Sequence, residues 1–86
     1  MPTISEFYGI KIVMRYREKH SPHFHAQYAE FTASIDIADG SILSGRVPAR
    51  AYHLVLEWLA LHRVELLDNW ERARRGESVQ DIDPLR

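Results

Sequence analysis

The chain has 86 residues, 45% of them hydrophobic and 27% charged, with a net charge of -1, five histidines and no cysteine. That length holds one domain with a modest core, and the missing thiols exclude disulfides, thiolate zinc sites and a cysteine nucleophile. A near-neutral balance means that any nucleic-acid surface must be a local patch, and with no apolar run near ~20 residues and no signal-peptide pattern, the expected setting is cytoplasmic, with no membrane partner.

The first element is a strand. In YGIKIVMRY, Tyr8, Ile10, Ile12, Met14 and Tyr16 fall on one face, and Lys11 and Arg15 on the other. REKHSP interrupts the alternation, because Pro22 cannot donate to a ladder and Ser-Pro favours a turn. HFHAQYAEFTASIDI then resumes it. Phe24, Ala26 and Tyr28 share a face, as do Phe31, Ala33, Ile35 and Ile37. The odd step from Tyr28 to Phe31 requires a tight turn or bulge at Ala29-Glu30. Asp39-Gly40 is a hairpin signal, and ILSG reads as a short last strand.

After Val47 the period becomes helical. Pro48 suits a first helical turn and Gly76 its end. Between them Ala51, Val55, Trp58, Leu59, His62, Leu66, Trp70 and Ala73 collect on one side of roughly seven turns. His53 falls on the polar side. His62 sits within the apolar stripe, where a histidine is ordinarily a core residue with a hydrogen-bond partner. Arg72 to Arg75 (RARR) complement the helix dipole and offer an extension to any phosphate-binding surface. The polar tail GESVQDIDPLR forms no further element, with Ile82 and Leu85 available to pin it.

The expected fold is therefore α+β: an antiparallel sheet of three or four strands in a β-meander, covered on one face by one long C-terminal helix. A single domain spans residues 1–86, with the sheet at about 3–45, the helix at about 48–75 and the tail at 76–86. If Phe24, Ala26 and Tyr28 face the helix, parity turns His23, His25 and Gln27 away from it. Lys11, Arg15, Arg17, Thr32, Ser34 and Asp36 join them. The uncovered face then carries histidine, cations and hydroxyls with a single acid.

Antiparallel sheets often carry one solvated polar face with no further role. Two histidines alternating beside arginine nevertheless suit a chemical one. A histidine pair exchanges protons near neutral pH, and an adjacent cation stabilises charge developing on a phosphate. His23, His25 and Arg15 are thus candidate catalytic residues of a metal-independent, ribonuclease-like toxin. Lys11, Arg15, Arg17, Gln27 and Ser34 are candidate nucleic-acid contacts. The His-x-His spacing places two imidazoles about 6–7 Å apart, so the alternative is a metal site of His20, His23 and His25. No cofactor and no physiological metal are expected.

These segments resemble one family of small bacterial proteins throughout: MPTISEFYGIKIVMRY, HSPHFHAQYAEF, IDI, and LEWLALHRVELLDNW followed by Gly76 and IDPL. It is the domain-of-unknown-function family numbered four-one-six-zero, and the Pro-His-Phe-His element is its most specific mark. Its members often carry two prolines before the histidine pair, where this chain has Pro22 alone. The resemblance implies a second small protein encoded alongside, in a pairing suspected of toxin–antitoxin function. A non-enzymatic partner-binding module, such as the antitoxin half, is the competing expectation.

Overall fold

A computed structural model describes residues 2–16 and 21–86. The expectations for Arg17 and His20 lie outside the described residues. Five strands, β1 (Thr3–Phe7), β2 (Ile10–Val13), β3 (His23–Tyr28), β4 (Phe31–Asp36) and β5 (Ile42–Arg46), form one antiparallel sheet in sequence order. One helix, α1 (Ala49–Arg74), follows them. The α+β meander under a C-terminal helix is as expected, with five strands where three or four were counted.

The additional strand is β1. Its pairing with β2 slips between Thr3 and Ser5, so Ile4 and Phe7 are both buried although an odd number of residues separates them. That irregularity hides the strand from a strict period-two pattern. Tyr8 therefore belongs to the turn between β1 and β2. Tyr8 at φ +50° and Gly9 at φ +80° give the left-handed pair of a type I′ hairpin. Tyr8 and Tyr16 are both exposed, and only Ile10, Ile12 and Met14 of the expected apolar set are buried.

The expected turn at Ala29-Glu30 joins β3 to β4 with Ala29 at φ +52°. Between β4 and β5, the Asp36 and Asp39 carboxylates accept from the amides of Ala38 (2.8 Å) and Ser41 (2.9 Å). The Ser41 amide is the main cause holding the Asp39 carboxyl below its ordinary value. Gly40, at φ +76°, leaves no room for a side chain beneath Leu56, and its carbonyl accepts from the Tyr52 hydroxyl at 2.6 Å.

The core lies between one sheet face and α1. Trp58 is its centre, 5.5 Å from the Phe7 ring and edge-on to Phe24 at 5.8 Å. Val55, Leu59, Leu66, Trp70 and Ala73 continue the buried stripe. The helix is broken at His62 (φ -126°, ψ 21°), whose half-buried ring packs on Trp58 at 5.5 Å and whose Nδ1 lies 2.6 Å from the Glu65 carboxylate. At the far end Gly76 (φ +77°) donates to Ala73 O and Glu77 to Arg72 O, which closes a Schellman motif.

The tail is pinned as expected, and more firmly than its polarity suggests. Ile82 is buried, and its amide donates to Ile4 O on the outer edge of β1 at 2.8 Å. Trp58 Nε1 donates to Asp83 O, and the buried Asn69 exchanges two hydrogen bonds with the Gln80 backbone. One sheet edge is thereby covered, and every residue of β5 on the other edge is exposed. Among the described residues, no helix is long and apolar enough to cross a membrane.

Candidate functional site

Strand register decides which side chains meet on the sheet face opposite the helix. Directly opposed residues of antiparallel strands share a face. One row across the sheet therefore reads Glu6, Lys11, Gln27, Thr32, Arg46. Two residues further along the strands, the next reads Val13, His25, Ser34, Ser44. His23 opposite Asp36 begins a third. The face expected from parity thus exists, with Lys11, Gln27, Ser34 and His25 upon it.

The second row carries a hydrogen-bonded chain. The Ser44 hydroxyl donates to Ser34 Oγ at 3.2 Å, and Ser34 Oγ lies 3.2 Å from His25 Nδ1. In that direction the Ser34 hydrogen falls to Nδ1, which puts the proton of a neutral imidazole on Nε2. Arg15, beyond the end of β2, joins His25, Thr32, Ser34, Ser44 and Gly45 around a cleft of about 180 Å³. Arg15 and Ser44 are exposed, Ser34 is half-buried, and His25 is the floor. Arg15 is the charged donor of this concavity, and the Ser44 and Ser34 hydroxyls, which here point along the chain to His25, donate to an anion only after rotating towards it.

Register puts both histidines on the face that parity assigns, and there they are covered rather than open: His23 is only 6% exposed and His25 only 8%, and Val13, in the row of His25, is buried too. Parity assigns a side of the sheet and says nothing of what covers it. His23 opens β3, where Trp70 of the helix lies 5.0 Å from its ring, and its Nδ1 donates to Ser21 O at 2.8 Å. The two imidazoles meet edge to face at 5.2 Å. Among the described residues, no group of three histidine or carboxylate side chains is placed to hold a metal ion.

Ser44, Arg46 and Thr32 are the site residues that the sequence reasoning left out of its candidate set. Thr32 had the right parity. Ser44 and Arg46 reach the face only because the β4–β5 pairing shifts between Ser34 and Ile35 and Gly45 takes φ +75°. The Arg46 guanidinium also lies over the Phe31 ring, 5.1 Å from its centroid. In the RARR turn Arg72 pairs with Asp68, Arg74 with Glu71 and Arg75 with Glu77.

Fold and site together define a small α+β domain whose sheet keeps one face for the helix and presents the other as a polar, cation-bearing surface. The chain belongs to the family described as "Domain of unknown function (DUF4160)", which matches residues 9–71 and so takes in every strand of that surface except β1. No curated protein and no solved structure matches it.

Proposed function

We propose that the protein binds single-stranded RNA through the open sheet face, with one backbone phosphate seated in the cleft of Arg15, His25, Ser34 and Ser44. The observation that carries this reading is the cleft itself, a cation, three hydroxyl residues and an imidazole around 180 Å³. Lys11 and Arg46, in the neighbouring row, supply two more cations. In a cytoplasmic two-gene pair of the kind that the family resemblance implies, this chain is the RNA-directed member.

His23 and His25 extend the reading to cleavage. One imidazole takes the proton of the attacking 2′-hydroxyl, the other gives one to the leaving 5′-oxygen, and Arg15 stabilises the phosphorane. The cleft that His25 shares with Arg15 supports it; the two rings touch edge to face, so this step requires them to part around the phosphate.

The test is fluorescence anisotropy with a labelled single-stranded RNA, followed by gel analysis of the same RNA for cleavage. Arg15→Ala is expected to weaken binding at least about tenfold while stability stays within about 1 kcal/mol. Unchanged affinity in that variant sinks the reading. His25→Ala separates the two parts, since it should abolish any cleavage.

A partner-binding role is favoured by a different observation. Leu61, Val64 and Leu67 form an exposed apolar ridge on the helix side away from the sheet, with Leu61 68% and Val64 81% accessible. Expression of the chain alone distinguishes the readings, because a toxin arrests growth and a binding module does not.

A further inference from the structure

A cavity opens where the β1–β2 turn meets the start of α1. It measures about 510 Å³ and is lined by Tyr8, Tyr28, Pro48, Arg50, Ala51 and Leu54. We propose that it is a binding site for a small amphiphilic anion, an aromatic ring system carrying one carboxylate.

Shape and lining select the ring. The volume falls within the roughly 300–1,000 Å³ of ordinary small-molecule sites. Pro48, Ala51 and Leu54 recur every third position and form one apolar wall, and the phenol rings of Tyr8 and Tyr28 are the other aromatic and apolar surface. Flat rings facing a proline and an aliphatic wall accept a flat aromatic guest by stacking. Tyr8 is 61% exposed, so the core makes little use of it. It also holds a left-handed φ of +50°, in a turn position where asparagine or glycine sits without strain.

Charge selects the head. Arg50 is the one ionic side chain lining the cavity, and it is exposed at the mouth. Among the described residues Arg50 has no ion-pair partner, and the first turn of α1 contains no acidic residue. Pro48 provides no side-chain cap either, so the positive end of the helix adds to the same field. An arginine fork binds a carboxylate in two parallel hydrogen bonds. The apolar wall would leave a cationic head unpaired and a neutral one unrewarded.

The experiment is an NMR amide-shift titration of the full chain with two isosteric probes, indole-3-propionate and its neutral amide, indole-3-propionamide. Saturable shifts at Tyr8, Gly9, Tyr28 and residues 49–54 are expected for the carboxylate, with the amide at least tenfold weaker. Arg50→Gln should bring the carboxylate down to the level of the amide. Tyr8→Ser should weaken both probes, and Arg15→Ala on the open face should alter neither. Both substituted residues, Tyr8 and Arg50, are surface positions, so the fold survives their replacement. The proposal is overturned if neither probe saturates, if the two bind alike, or if the shifts map to the Leu61–Val64 ridge.

Discussion

Asn69 and Gly45 each do work that their residue types would not announce. Asn69 lies beneath the tail with both amide atoms committed, Oδ1 accepting from the Gln80 amide and Nδ2 donating to its carbonyl. Asn69→Leu keeps the branched shape in a somewhat bulkier side chain and leaves two backbone groups without partners, at about 1–3 kcal/mol for a buried group so orphaned. Urea unfolding should report a loss of roughly 2–3 kcal/mol. Hydrogen exchange should show the Ile82 amide freed from Ile4 first. Gln80→Ala, which touches only the side chain, should change neither measurement. At Gly45, a Cβ would strike the Thr32 carbonyl oxygen, and φ of +75° is left-handed. Gly45→Ala is therefore expected to cost at least about 2 kcal/mol, from conformational strain plus the displaced backbone. Amide exchange confined to β5 is the measurement, and β5 amides as protected as in the parent chain would refute it. Both residues escape sequence reading for one reason. A lone asparagine in a helix and a lone glycine in a strand have no periodicity, and their partners are 11 and 13 positions away.

The elements themselves were more legible than the contacts within them. Strict alternation located β2, β3 and β4, and the change of period at Val47 located α1, because both patterns record a continuous apolar face. Where a face is kept by a bulge, as in β1 and again at Ser34/Ile35, alternation fails and the element or its register is lost. The break in α1 at His62 was illegible too, since the ring keeps its place in the apolar stripe while its backbone leaves the helix. The last turn of α1 is where charge matters. The Arg74 guanidinium, hydrogen-bonded to Glu71, holds that carboxyl below its ordinary value, and Arg75 does the same to Glu77. A depressed folded value means that these pairs support the helix end above the unfolded carboxylate value of about 4.3 and lose that support as pH falls. Amides of residues 72–77 should exchange faster, relative to the sheet, at pH 3.5 than at pH 6. Glu71→Gln should remove most of that pH response, and high salt should shrink it, because both groups are in solvent.

At the scale of the whole molecule the open sheet face gathers three cations, Lys11, Arg15 and Arg46, with Glu6 and Asp36 among them. The helix instead interleaves its acids with arginines, Asp68 paired with Arg72 and Glu71 with Arg74. The sheet-face cations make RNA binding testable without knowing the bound sequence. Each phosphate neutralised on a single strand contributes about -0.7 to the slope of log K against log salt. If Lys11, Arg15 and Arg46 each meet one phosphate, the parent slope is about -2, and each alanine substitution reduces its magnitude by about 0.7. Glu57→Lys adds a cation on the opposite surface, a sheet-and-helix thickness away. At 0.1 M salt that distance exceeds the screening length of about 10 Å, so the slope should stay at the parent value. Anisotropy titrations at four salt concentrations measure all of these slopes with the folded full chain. A slope that steepens with Glu57→Lys and ignores Arg15→Ala would move the RNA to the helix side and leave the open face without this function.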